Sequence, residues 1–296
     1  MRVNDERAKP MKSRIEAALL DAIGRAEDGA PPKLAAAIRY AVFPGGARIR
    51  PHLCLAVAEA CGNDEPALAD GMATAIELLH CASLVHDDLP CFDDANLRRG
   101  KLSVHRAYGE PLAVLTGDAL LVLSFDSLAR AAIGRPTRLV GLITSLARAA
   151  GTPYGLIAGQ GWESEATPSL AHYHRAKTGS LFVAATTGGA LASGRDPAPW
   201  RMMGELLGQG YQVADDLLDA LALPHEAGKP TRQDALLERP NAVLELGVSG
   251  AIGHLRDLVS HAAAAVPECP GAGALRELVM QVGERLVPAG LKQTAA

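Results

Sequence analysis

Aromatic residues make up only 4% of this 296-residue chain, and runs of β-branched residues are short. Sheets draw on both kinds of residue, so the abundance of alanine and leucine argues for an all-α fold instead. Cysteine is scarce too. Cys54, Cys61, Cys81, Cys91 and Cys269 form no CxxC pair and no regular spacing, which excludes a disulfide framework and predicts reduced thiols in a cytoplasm. No apolar run reaches about 18 residues, since LAVLTGDALLVL is short and carries Asp118, so no transmembrane segment is expected. The opening MRVNDERAKPMKSR lacks the apolar stretch of a signal peptide. Nor is there a basic excess: the net charge is −4 with no basic stripe, which gives no reason to expect nucleic acid as a partner. What is present is 48% hydrophobic content, enough for a large core, with no internal repeat or low-complexity linker. Residues 1–296 therefore read as a single domain.

The stretch from Glu77 to Gly100, ELLHCASLVHDDLPCFDDANLRRG, concentrates the chemistry. Asp87, Asp88, Asp93 and Asp94 crowd together after an apolar run, and such carboxylates repel one another unless a cation neutralises them. Oxygen-only ligands favour a hard ion such as Mg²⁺. Arg98 and Arg99 follow with bidentate donors suited to phosphate oxygens. A solvated acidic turn is the plainer reading of the acids alone. A helix is predicted from Pro66 into the aspartates, with His80, Ser83 and Asp87 on one face and Ala75, Leu78, Leu79 and Ala82 on an apolar stripe beside it. Pro90 disfavours helix at Leu89 and offers the break that Asp87 and Asp93 need to meet, leaving Asp87 and Asp88 at a helix C-terminus whose dipole favours a cation.

Elsewhere, Gly45-Gly46 precedes Ala47-Arg48-Ile49-Arg50, a turn with arginines close behind it. Gly159-Gln160-Gly161 beside Glu163 and Glu165 reads either as polar site lining or as a kink with solvated acids. A helix predicted over His172–Thr187 contains Lys177-Thr178-Gly179, polar groups that are costly to bury without an anionic partner. A second acidic cluster follows at Gln212 to Asp219. There Asp215 and Asp219 stand four apart on one helix face, so their like charges call for a bridging cation. Gly228-Lys229, Asp234 and Arg239-Pro240-Asn241 then make a polar loop compatible with phosphate.

Taken together, GGARIRP, HDDLPCFDDANLRRG, GQ, KTG and YQVADDLLD resemble the trans-isoprenyl diphosphate synthases, the polyprenyl synthetase family, over roughly residues 30–245. The likeness is strongest to bacterial geranylgeranyl diphosphate synthases. It implies helices around a deep central cavity, a homodimer, and 1′-4 condensation of isopentenyl diphosphate with allylic diphosphates. By position it assigns Mg²⁺, three ions with substrate bound, to Asp87, Asp88 and Asp93 on one side and to Asp215, Asp216 and Asp219 on the other. Arg98, Lys177, Thr178, Gln212, Lys229 and Arg239 match allylic-site residues, Arg239 standing where many relatives have lysine. Arg50, His80 and Arg99 match residues that hold isopentenyl diphosphate. Asp87, Asp88, Lys177, Gln212 and Asp215 carry the expected catalysis.

The chain departs from the family pattern at Ala47, where many relatives carry a lysine for isopentenyl diphosphate. Arg48 is the candidate to compensate as a substrate-binding arginine. Ala82, five before the first aspartate, stands where a bulky aromatic tends to stop the product at farnesyl; with Ser83 beside it, the small residue predicts a C20 product. The alternatives are a farnesyl diphosphate synthase and a non-catalytic prenyl-diphosphate-binding subunit. A terpene cyclase is disfavoured because DDLLD is not its usual second metal motif, and a metal phosphohydrolase on His86-Asp87 lacks further histidine ligands.

Overall fold

The computed structural model describes residues 8–43, 46–165, 173, 175–221 and 241–287. It is all-α: α1 (Ala8–Glu27), α2 (Pro32–Val42), α3 (Ile49–Ala60), α4 (Pro66–Asp87), α5 (Val104–Tyr108), α6 (Glu110–Ala131), α7 (Pro136–Ala150), α8 (Leu156–Gly161), α9 (Ser180–Ala192), α10 (Arg201–Leu221), α11 (Ala242–Ala264) and α12 (Ala272–Leu286). Among the described residues the only β-pairing is a hairpin of two-residue strands, β1 (Leu97–Arg98) and β2 (Lys101–Leu102). All five cysteines are free.

The helices group into two compact units. The first holds α1 to α6, α7 as far as Ala147, and α9 from Ala184. Within it α4 packs most extensively against α6 and also meets α1, α2 and α3. Its side chains explain why. Leu68, Met72, Ile76, Leu78, Leu79 and Ala82 are all buried, so apolar residues cover most of the helix circumference, as expected of a helix enclosed by others. Pro66 stands at the start of α4, where its missing N–H costs nothing. The second unit holds residues 97–101, α8, a π-helical turn at Arg175–Gly179, and α10 to α12. There α10 packs along α11, and both α8 and α10 meet the π turn.

Three expectations change. The helix predicted over His172–Thr187 has a π-helical turn at Arg175–Gly179 before regular α9 begins; His172 lies outside the described residues. Periodicity places a last-third helix over Ala251–Val266, whereas α11 starts at Ala242 and is kinked at Gly247, which has φ 68°. Two helices also meet the length and hydropathy of a membrane span, α4 at a mean hydropathy of 1.3 and α6 at 1.6. Of the α4 window 78% is buried inside the protein, as in a core helix, whereas α6 is only 44% buried and presents apolar side chains outward.

Candidate active site

The first acidic cluster is built by the end of α4. The helix stops at Asp87, and Asp88 takes the C-cap, its N–H bonded to the carbonyls of Leu84 and His86. Past Pro90 the chain doubles back. The N–H of Asp93 donates to the Asp87 carbonyl at 3.0 Å, and that of Ala95 donates to the Asp88 carbonyl at 3.2 Å. The break expected at Pro90 therefore returns Asp93 to Asp87. Asp87 and Asp88 are buried while Asp93 is exposed. The fourth acid is engaged elsewhere: the Asp94 carboxylate accepts from Arg106 Nη2 at 3.0 Å and lies 3.6 Å from His105 Nε2.

On the same helix His80 and Ser83 are partly exposed, and the Ser83 hydroxyl donates to the His80 carbonyl. Ala82 has no exposed surface. Arg98 lies in β1 and Arg99 in the turn after it, with a left-handed φ of 53°; both are partly exposed. Lys229 and Arg239 lie outside the described residues.

Arg48 has a different job from the one its sequence position suggested. It adopts a left-handed φ of 52° just before α3, which turns its side chain inward while Ala47 faces solvent. Its guanidinium donates to Glu77 Oε1 at 2.6 Å, to Glu16 Oε1 at 2.9 Å and to the Val42 carbonyl at 2.9 Å, with its side chain 1% exposed. Burial alone would lower its pKa, but the Glu16 hydrogen bond and the Glu77 charge override this and raise it. A guanidinium so enclosed reaches no substrate. The expectation that Arg48 replaces the missing lysine is corrected on that ground. Arg50, two residues further on, is also buried.

The second unit carries the other polar groups. Lys177 Nζ donates to Glu163 Oε1 at 2.6 Å, and the Tyr173 hydroxyl donates to the same oxygen at 2.8 Å. Glu163 is thus a paired acid rather than a solvated one. Gly159 explains part of the GQ motif, because a Cβ there would come within 2.5 Å of the Lys177 backbone nitrogen. Thr178 Oγ1 donates to Gln212 Oε1 at 2.8 Å, and Gln212 Nε2 donates to Asp216 Oδ1 at 2.9 Å. Asp216 Oδ2 accepts from the Ala242 N–H at 2.8 Å. Asp215 is partly exposed and Asp219 buried one turn on, consistent with the shared face expected of i,i+4 residues.

The family model described as Polyprenyl synthetase matches residues 31–265. The chain belongs to the polyprenyl synthetase family. As a member of that family it is 57% identical to the geranylgeranyl diphosphate synthase of Cereibacter sphaeroides, over 94% of this chain and 97% of the relative. It is 50% identical to that of Rhodobacter capsulatus, over 94% and 96%. Among solved structures it resembles a geranyltransferase from Helicobacter pylori complexed with magnesium and isoprenyl diphosphate, with a TM-score of 0.79 at 27% identity, covering 96% of this chain and all of that one.

The donor set suits the Mg²⁺ that members of this family use. Asp87, Asp88 and Asp93 offer hard oxygen donors at or just after a helix C-terminus, and the backbone bond from Asp93 to Asp87 brings the motif's two ends together. Among the described residues, no group of three or more acidic, thiol or imidazole side chains is by itself placed to hold a metal ion. Mg²⁺ is ordinarily held by one or two carboxylates, with substrate phosphates and water completing its shell. Sequence reasoning missed Glu16 and Glu77 as the anchors of Arg48. The signal was Glu77 itself, an acid inside the apolar run AIELLH, costly there unless paired.

Proposed function

We propose that the chain condenses isopentenyl diphosphate with an allylic diphosphate, 1′-4 and trans, and that its product is geranylgeranyl diphosphate. The single observation that carries this is the end-to-end likeness to a geranylgeranyl diphosphate synthase in a chain that keeps both acidic motifs. In this reading residues 1–296 form one isoprenoid-synthase domain, working in the cytoplasm. Asp87, Asp88 and Asp93 in the one unit, and Asp215 and Asp219 in the other, are the carboxylates that would hold Mg²⁺, three ions with substrate, and Asp216 stands next to Asp215 in the chain.

Diphosphate leaves only when its charge is neutralised. Bound Mg²⁺ supplies Lewis-acid neutralisation of that leaving group. Lys177, Arg98, Lys229 and Arg239 add donors to the allylic diphosphate as its C–O bond breaks. The resulting allylic cation forms beside Thr178 and Gln212, whose oxygens stabilise it, and apolar walls keep out the water that would quench it. Arg50, His80 and Arg99 hold isopentenyl diphosphate while its double bond attacks. A proton then passes to the departed diphosphate.

Product length is assigned to the face of α4 that carries His80, Ser83 and Asp87. Ser83 is open there, whereas Ala82 is fully enclosed, so a bulky side chain at 82 meets the overpacking cost of about 1–3 kcal/mol. The test is to incubate the purified chain with Mg²⁺, isopentenyl diphosphate and each allylic primer and to size the products. A C20 product is expected, and Ser83→Phe is expected to shift it to C15. A wild-type product that stops at C15 would make the chain a farnesyl diphosphate synthase. No turnover with any primer would favour a non-catalytic prenyl-diphosphate-binding subunit, the reading that Ala47 supports. The chain is further proposed to act as a homodimer, supported by the outward apolar side chains of α6.

A further inference from the structure

We infer that Asp216, the second acid of the DDLLD motif, is a positioning residue for Gln212 and the cap of α11, rather than a third metal ligand of that helix. The inference rests on the proposed reaction only for its kinetic readout.

The geometry of α10 carries it. Residues 208, 212 and 216 follow one another at four-residue spacing along one side of the helix. Gly208 lies so close to the π turn that a Cβ on it would be 2.7 Å from the Gly179 Cα. One turn on, that approach places Gln212 within reach of Thr178; one turn further, Asp216 reaches the first residues of α11. Adjacent residues on a helix point about 100° apart, so Asp215 and Asp216 face different neighbours. Asp215 stays partly exposed, whereas Asp216 is 3% exposed, and each of its carboxylate oxygens accepts a hydrogen bond from the protein.

Those two bonds have different consequences. The amide of Gln212 is ambiguous by itself, because its oxygen and nitrogen ends exchange by a flip. An ionised carboxylate only accepts, so Asp216 fixes the NH₂ end toward itself and the oxygen end toward Thr178, leaving the Thr178 hydroxyl as donor. The second bond satisfies the N–H of Ala242. Asn241, as N-cap, satisfies the next one through its side-chain acceptance from Val243. A carboxylate at a helix N-terminus also lies at the favourable end of the dipole. Asp216 thereby ties the orientation of the Gln212 amide to the anchoring of the start of α11.

Asp216→Ala removes both acceptors, so Gln212 loses the group that fixes its amide and the Ala242 N–H loses its side-chain partner. Amide hydrogen exchange on the variant reads the second contact directly, and faster exchange at Ala242 is expected with or without activity. Steady-state kinetics read the first. KM for the allylic diphosphate is expected to rise about tenfold, the scale of one lost charge-assisted hydrogen bond. The Mg²⁺ concentration for half-maximal rate should stay within twofold. In a Gln212→Ala background, Asp216→Ala should add less than a twofold change in that KM, because the amide it orients is gone. Unchanged exchange at Ala242 overturns the capping role. A tenfold rise in the Mg²⁺ requirement, or full additivity with Gln212→Ala, overturns the positioning role. If the wild type forms no prenyl product, the proposed function fails on its own while hydrogen exchange still decides the contact.

Discussion

By the family resemblance, Ala47 and Arg48 stand where many relatives carry a Lys-Arg pair. Arg48 turns inward on its left-handed backbone and is neutralised by Glu16 and Glu77, so it holds α1, α3 and α4 in register. Removing one partner of such a buried pair costs about 3–5 kcal/mol, because the other charge is left uncompensated. That commitment leaves Ala47 with no deputy. Ala47 is exposed, so a lysine there has room to extend, and Ala47→Lys is expected to lower KM for isopentenyl diphosphate by about tenfold, the worth of one charge-assisted hydrogen bond. Isopentenyl titrations at saturating allylic substrate measure this. An unchanged KM would mean that Arg50, His80 and Arg99 already saturate the diphosphate.

The pairing of α4 with α6 decides where the first aspartates stand. Gly117 on α6 lies against His86, the residue before Asp87, and a Cβ on Gly117 would overlap its imidazole ring. Gly117→Ala therefore forces His86, or the end of α4 with it, to move. The expected result is a loss of activity of at least tenfold, since small misplacements of catalytic groups are costly. His86→Ala in the same chain should restore most of that loss by making room. No recovery would place the defect outside this contact. Much of this element was legible in the sequence: Pro66 and Pro90 bracket it, and the acids announce its function. The return of Asp93 to Asp87 was legible only as a break, because periodicity says where a helix ends but not where the loop goes next. The π turn at Arg175–Gly179 was illegible for a related reason. An apolar periodic segment reads the same with or without one widened turn, so the partnership of Lys177 with Glu163 could not be placed. Asp216 was hidden by its own motif, since a DDLLD pattern does not distinguish the acid that faces the substrate from the one that faces α11.

At the scale of the molecule, α6 is the helix whose apolar content its own unit leaves unused. Leu115 is 50% exposed and Val122 70%, and the two stand seven apart, hence on one outward face. Isolated exposed apolar residues need no explanation, but a helix with a mean hydropathy of 1.6 and under half of it buried does. In the proposed homodimer a second copy of the chain would cover this face isologously: the same side chains are presented by both partners, so Val122 of each would lie within one buried patch. Placing a charge there then buries two like charges, which the interface can neither pair nor hydrate. Sedimentation equilibrium is expected to give twice the chain mass of 30.8 kDa for the wild type and a shift to 30.8 kDa for Val122→Glu. The helical circular dichroism should be unchanged, because residue 122 lies outside the core of its own unit. A wild type that sediments at 30.8 kDa would refute the homodimer, and a Val122→Glu variant that stays paired would move the interface off this face of α6.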